Sequence, residues 1–354
     1  MKKFKKISQV ILVLAFTATL FSCKKPPEEI PEDETGIFDI WVLNEGLKDM
    51  NNSSITAYNI STKDKISNLY RHANNNRQLG DLANDMLLYG SKVYIAVNGS
   101  NLIDVLDANN GVSLKQIKAE ASQPRCIASH NGKIYVCYFD GNVAKIDTSS
   151  FQVERLVKVG RNPDGICVAN NKLYVSNSGG MDFPNYDNTV SVIDLNSFSE
   201  IKKIIVRDNP TLIKSNKNGT VYVVSNGNYA DVSPCLQRIN SSSDEVEKVF
   251  NIEMQGFDIY NSSLYFYSYD YGNSSTSYQV LDLSKDSIIN SNMISGSGLP
   301  TTPYNITINP KNGDIYITDA LDYTSIGDVY CFGQNGQKKF QFEAGILPKK
   351  IIFR

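Results

Sequence analysis

Lys172-Leu173-Tyr174-Val175-Ser176-Asn177 and, after a polar insert, Thr189-Val190-Ser191-Val192-Ile193-Asp194 are the two segments that decide the fold. The first puts an aromatic between two aliphatics and follows a turn signal, Asn170-Asn171. The second ends in an Asx residue, whose side chain bonds its own backbone two residues on and starts a tight turn. Both recur along the chain. The aliphatic–aromatic core returns as Ile40-Trp41-Val42, Val93-Tyr94-Ile95, Ile134-Tyr135-Val136, Val221-Tyr222-Val223, Leu264-Tyr265-Phe266 and Ile315-Tyr316-Ile317, with the aromatics 53, 41, 39, 48, 43 and 51 residues apart. The second element returns as Tyr58-Asn59, Leu106-Asp107, Ile146-Asp147, Ile239-Asn240, Leu281-Asp282 and Phe332-Gly333.

A third strand follows each pair, as at Gln152 to Val159 and Glu200 to Val206, and a fourth precedes the next copy, as at Gly165 to Ala169 and Tyr304 to Asn309. Four antiparallel strands repeated every ~40–50 residues are the pattern of a β-propeller. An isolated four-stranded unit would leave both faces wet, whereas units packed around a ring cover one another. The expected fold is therefore all-β, a seven-bladed propeller, with no sustained helical periodicity in the folded part. The chain enters at Phe38 on a second strand, and Lys349-Lys350-Ile351-Ile352-Phe353-Arg354 is a strand without a blade of its own. It is expected to insert as the innermost strand of blade 1 and so remove the open sheet edges.

The first residues read as an address. Met1 to Lys6 carries four lysines, Val10 to Leu20 is apolar, and Leu20-Phe21-Ser22-Cys23 follows. A basic start, a short apolar core and a small residue before the cut mark a secretory signal, here residues 1–22. The apolar run is too short for a permanent membrane span. Residues 23–35 follow with three prolines and five acids between Lys24 and Thr35, a composition that forms a tether rather than a core. The propeller is expected over residues 36–354.

Composition narrows the function. With 35 basic and 37 acidic residues the chain lacks the concentrated basic surface that nucleic acid requires. Two histidines, His72 and His130, are few for a metalloenzyme or a His-based hydrolase. No zinc-protease, Cys-x-x-Cys, P-loop or nucleophile-elbow motif is present. Asp319, Asp322 and Asp328 offer oxygens to a hard cation, but their spacing matches no calcium loop. No cofactor, metal or catalytic residue is expected, and five of the six cysteines read as small buried hydrophobes.

Long loops gathered on one side of a rigid scaffold are where function concentrates. The loops Asn44 to Ser54, Asn177 to Asn188, Asn226 to Pro234, Ser268 to Ser277 and Asp319 to Gly327, with the crossing Tyr70 to Asp85, should share one face. They are rich in Asn, Gly and Tyr; Tyr offers broad contact area at low entropy cost, and Asn both donates and accepts. The candidate ligand-binding residues are Asn44, Glu45, Asn98, Arg125, Tyr138, Arg161, Asn177, Tyr186, Asn226, Tyr229, Tyr269, Tyr271, Asp319 and Tyr323. Arg125, Arg161 and Arg207 stand at blade-crossing corners and are expected to converge on the axis, free for an anion or paired with Asp164, Asp208 or Glu120.

The repeat around Lys172 and Thr189 resembles the YVTN/YncE-type propellers. Leu43-Asn44-Glu45-Gly46 with Asn52-Ser53-Ser54, Leu79-Gly80-Asp81 with Asn84-Asp85, Asn177-Ser178-Gly179-Gly180 with Pro184-Asn185-Tyr186, and Ile317-Thr318-Asp319-Ala320 are similar to the propeller surface lipoproteins of Bacteroidetes, including the BtuG-type cobalamin-capturing lipoproteins. Cys23 resembles the lipobox cysteine that receives a diacylglycerol. The resemblance implies a lipid-anchored outer-membrane protein facing the cell exterior. It implies a small-molecule ligand, cobalamin or a related corrinoid, passed to a TonB-dependent outer-membrane transporter. Surface glycan or other nutrient binding, and a lactonase-like hydrolase, are the alternative readings of the same propeller.

Overall fold

In the computed structural model, which describes residues 38–354 except Tyr271 and Ser274, the chain forms seven four-stranded antiparallel sheets. In blades 2 to 7 the strands run outward in chain order, as in blade 4: Pro163–Ala169, Lys172–Asn177, Thr189–Asp194 and Ser199–Ile205. Blade 1 takes its innermost strand, Pro348–Phe353, from the C-terminal end of the chain. That strand lies antiparallel to Ile40–Asn44, with Trp41 opposite Ile352 and Val42 opposite Ile351. The ring closes as the unpaired C-terminal strand requires.

The recurring aromatic now has a reason. Seven buried apolar clusters fill the seven blade interfaces, and each contains one copy. Trp41 lies between blades 1 and 2, Tyr94 between 2 and 3, and Tyr135 between 3 and 4. Tyr174, Tyr222, Tyr265 and Tyr316 occupy the remaining four in order. All but the half-buried Tyr265 are at most 2% exposed. Fully burying a large apolar side chain stabilises by ~1.5–3 kcal/mol, so the repeat places one large contribution at each interface.

The Asx turns form as read. Asp107, Asp147, Asp194, Asn240 and Asp282 each accept a backbone N–H two residues ahead. Two segments differ from expectation. The outer strand of blade 1 is only Lys65–Ile66, after which the chain makes one helical turn, Leu69–Ala73, capped by the Asn68 side chain. Five residues are too few to leave a helical period. The turn buries Tyr70, whose hydroxyl donates to the fully buried Asp104 carboxylate at 2.8 Å. Ser268 to Ser277, read as a loop from its Ser and Asn content, is largely a hairpin, in register to Asp270 opposite Ser275.

Candidate functional site

The inner strands of blades 3, 4, 5, 7 and 1 begin with Pro124, Pro163, Pro210, Pro303 and Pro348. Proline has no N–H to give the ladder, and the first residue of a strand tolerates it. Directly afterwards the register slips. Pro124 pairs with Tyr138 but Cys126 pairs with Cys137, leaving Arg125 as an extra residue. The same one-residue bulge isolates Asp164 in blade 4, Tyr304 in blade 7, Lys349 in blade 1 and Asn84 in blade 2. Blade 5 skips two residues, Thr211 and Leu212, and blade 6 keeps register through Phe257. A bulge bends its strand and re-aims the extra side chain.

All five singly bulged side chains join one network around Glu45, the first residue after the second strand of blade 1. Tyr304 Oη donates to Glu45 Oε2 at 2.7 Å, and Lys349 Nζ reaches both carboxylate oxygens at 3.0 and 2.9 Å. Asn84 Nδ2 donates to Glu45 Oε1 at 2.5 Å and its Oδ1 accepts from Arg125 Nη1 at 2.9 Å. Arg125 pairs in turn with Asp164 and lies 4.9 Å over the Phe139 ring. Burial alone would raise the Glu45 carboxyl, but Lys349 and the Tyr304 hydrogen bond outweigh it and hold it below its ordinary value. Burial and the Glu45 charge together push the Tyr304 hydroxyl up.

Further polar bridges complete the circuit. Lys350 meets Asp85 at 3.0 Å, and that pairing raises the ammonium against its burial. Asp85 accepts the Ile127 N–H, Lys214 meets Asp258 at 2.8 Å, and Asp258 accepts the Ile308 N–H. Ser176 Oγ donates to the Thr211 carbonyl at 2.5 Å. Each of the seven blade interfaces thus carries at least one polar bridge from an inner strand.

The long loops follow the second strands, and polar contacts brace those of blades 1 and 4. Gly46 has φ +76°, and a Cβ there would sit 2.5 Å from Asn52 Oδ1. The position therefore needs glycine for both conformation and space. Asn52 Oδ1 accepts the Leu47 N–H, and Ser53 Oγ donates to the Glu45 carbonyl. Arg161 pairs with Asp182 and donates to the Tyr186 carbonyl at 3.0 Å, which fixes the blade 4 loop. Between the loops of blades 4 and 5 a cleft of about 260 Å³ is walled by Phe139, Met181, Tyr186 and Tyr229 and floored by Asp164 and Thr211. Tyr186 stands edge-on to Tyr229 at 6.0 Å and to Phe183 at 6.1 Å. Met181, Phe183 and Tyr229 are each more than 70% exposed, and Met50 and Tyr323 on other loops of this face are also exposed.

The sequence-predicted residues separate into groups. Glu45 and Arg125 belong to the ring, and Tyr323 reaches its edge, 6.3 Å from Tyr304. Tyr186, Asn226 and Tyr229 line the cleft. Asn44, Asn177 and Asp319 are fully buried and have no surface to give a ligand. Each closes a second strand and ties the polypeptide around it. Asn44 and Asn177 donate to hydroxyls of the third strand, and Asp319 accepts the backbone N–H groups of Thr301, Thr302 and Leu321. Asn98 is buried and donates to the Pro124 carbonyl, Tyr138 lies in a core cluster, and Tyr269 is half-buried on the hairpin. Tyr271 and Cys23 lie outside the described residues.

Arg161 and Arg207 do not converge with Arg125. Arg125 follows its proline and is turned inward by the bulge, whereas Arg161 and Arg207 precede theirs. Arg207 bonds the Ser233 carbonyl and Asn251 instead. Asp322 caps its own turn through Thr324 and Ser325, and no cluster of three metal-ligating side chains occurs among the described residues. The sequence reading named Asp164 only as a possible partner of a corner arginine, and did not count Asn84, Tyr304 or Lys349; Asp164, Tyr304 and Lys349 each follow a strand-opening proline, which was the available signal, whereas Asn84 follows Ala83.

A larger cleft, about 410 Å³, lies on the opposite face between blades 5 and 6. Its walls are short turns, and its charged pair, Arg238 and Glu247, already meet at 2.5 Å, with Asp286 also on Arg238. Its charged pair is already engaged and its walls are short turns, so the loop face is the better candidate.

Residues 38–345 match a family described as a domain of unknown function, DUF5074. No curated protein matches the chain. Among solved structures, a quinoprotein alcohol dehydrogenase-like protein from Bacteroides thetaiotaomicron superposes with a TM-score of 0.66 at 16% identity, over 90% of this chain and 78% of that one. Hydrazine synthase of Kuenenia stuttgartiensis gives 0.59 at 18% identity, over 70% and 74%. The computationally designed Ika8 protein gives 0.56 at 10% identity, over 74% and 87%. At these identities the likeness is one of fold.

Proposed function

We propose that this chain, which belongs to the DUF5074 family, captures a small molecule on the loop face of its propeller without covalent chemistry, and that the ligand is cobalamin or a related corrinoid. The observation that carries the binding reading is the set of five bulges. They turn side chains from five blades into one ring beneath the long loops, where a ligand resting on the loops would meet a preorganised floor. Preorganisation lowers the ordering cost of binding. Glu45 supports binding over catalysis. A carboxylate held below its ordinary pKa by a lysine and a tyrosine is a weak proton acceptor.

The corrinoid assignment rests on the sequence resemblance. The motifs that carry it, Leu43-Asn44-Glu45-Gly46 with Asn52-Ser53-Ser54 and Leu79-Gly80-Asp81, brace the loop that presents Glu45. The Ser53 N–H donates to the Gly80 carbonyl and the Asp49 N–H to the Asp81 carboxylate. In this reading Cys23 anchors the protein in the outer membrane, facing outward, and a TonB-dependent transporter receives the ligand. The exposed Tyr, Phe and Met side chains of this face also suit a glycan, so the two ligands must be compared directly. Protein incubated with cyanocobalamin and then desalted should retain the pigment's visible absorbance. A colourless protein with no heat of binding in calorimetry removes the corrinoid reading, and retention of a glycan instead replaces it.

A further inference from the structure

We infer that the cleft between the loops of blades 4 and 5 takes an uncharged ring, one that presents an apolar face to Tyr186, Tyr229 and Met181 and a hydrogen-bonding edge to the amides beside them. This deepens the proposal above and rests on the loop face being a binding face.

Size comes first. Clefts that enclose a drug-sized ligand span ~300–1,000 Å³, so about 260 Å³ admits one ring system while the rest of a larger molecule lies outside. Wall chemistry comes second. Met181, Phe183 and Tyr229 are 73%, 71% and 71% exposed, and Tyr186 touches both aromatics, so they form a clustered apolar patch of the kind that marks a binding surface. Tyr186 and Tyr229 meet edge-on, with their planes at 65°. That angle forms a notch into which a flat face fits against one ring. Asn209, Asn226 and Thr211 also line the cleft, with the Asn226 amide donating to Thr211 Oγ1 at 3.4 Å.

Charge comes third. Of the residues lining the cleft only Asp164 is ionised, and it is paired with Arg125. A cationic ligand would have to displace that guanidinium, and an anionic one would face the carboxylate. The other inner-strand cations bridging the blades are likewise compensated: Lys349 by Glu45, Lys350 by Asp85 and Lys214 by Asp258. No uncompensated charge in the ring selects a charged ligand. A neutral sugar ring and a neutral heteroaromatic base share the required chemistry.

Saturation-transfer NMR on the protein with N-acetylglucosamine and with adenosine, each at about 10 mM, separates the two sources. Glucuronate and adenosine monophosphate serve as charged counterparts. Binding of either neutral probe supports the inference and names its source. Tyr229→Ala should weaken that probe about tenfold, as loss of a stacking surface does. Tyr186→Ala should do the same, whereas Lys217→Ala on the opposite face should change nothing. Raising salt from about 50 to about 500 mM should leave the affinity within about twofold. Tighter binding of the charged counterparts, unchanged affinity in both tyrosine variants, or saturation of neither probe would overturn it. The outcome is separable from the corrinoid test. Probes that bind a protein deaf to cyanocobalamin leave this inference standing alone. Cyanocobalamin binding unaffected by Tyr229→Ala removes this inference and leaves the other.

Discussion

Shortening Ile351 to alanine tests whether the C-terminal strand holds the ring shut. Ile351 is 3% exposed and packs in the cluster between blades 7 and 1 with Ile40, Val42 and Tyr316. Truncating a buried isoleucine costs ~2–5 kcal/mol through lost burial and the cavity left behind. At ~2–4 °C per kcal/mol for large domains, the melting temperature should fall by roughly 4–20 °C. Deleting Ile351 to Arg354 also removes Ile352, which packs on the other side against the blade 1–2 cluster, and the hydrogen-bonding partner of Ile40 to Val42. The two isoleucines alone then cost ~4–10 kcal/mol, comparable to the ~5–15 kcal/mol that holds a protein folded. The cooperative transition should disappear. Ile289→Ala is the control: that side chain is 53% exposed on the outer strand of blade 6, and its loss should cost within ~0.5 kcal/mol. Thermal unfolding followed by circular dichroism gives the comparison. If the deletion melts like the intact chain, or Ile351→Ala shifts the transition no more than Ile289→Ala, closure by that strand is wrong.

Acid should loosen the ring. Because burial is outweighed by Lys349 and the Tyr304 hydrogen bond, which hold the folded Glu45 carboxyl below the ordinary glutamate value, its stabilisation is present above that ordinary value and is lost as pH falls through the folded one. Glu45→Gln should therefore be less stable at pH 7 and show a flatter melting profile as pH falls below the ordinary glutamate value; identical profiles would count against the network. Gly160→Ala would set a Cβ 2.4 Å from Asn177 Cγ. The crowding should cost ~1–3 kcal/mol in urea unfolding. Gly227 has φ +68°, and a Cβ there would lie 1.9 Å from the Val232 carbonyl oxygen. Gly227→Ala should distort the turn that carries Tyr229, so ligand affinity in calorimetry should drop more than thermal stability does.

The ring was readable from residue types because the forces that build it act locally and repeat. Each interface carries an aromatic, and six of the seven outer turns carry an Asx residue, with Gly333 in the seventh, so both periods stand out without any alignment. Closure was readable from a leftover apolar strand. The helical turn at Leu69–Ala73 was not, since five residues carry no period. The site was readable only as a face. Asn44, Asn177 and Asp319 looked like loop-edge ligands, but the end of a second strand must satisfy the backbone and hydroxyl groups gathered there, and their side chains serve that need. Asn84, Tyr304 and Lys349 looked like ordinary inner-strand residues, and Asp164 stood out only as one of three possible partners for a corner arginine. A bulge is a relation between two strands, and one strand's sequence does not display it, although the recurring proline just before the slip was visible.

Hydrogen exchange with and without cyanocobalamin tests most directly whether the loop face over the bulged ring is where a ligand sits. Slowed exchange is predicted in the segments around Gly46, Gly179, Gly227 and Tyr323, which belong to four different blades far apart in sequence, with the turns at Asp107, Asp147 and Asp282 unchanged. Protection confined to those opposite turns, or an exchange pattern that cyanocobalamin leaves untouched, would contradict it.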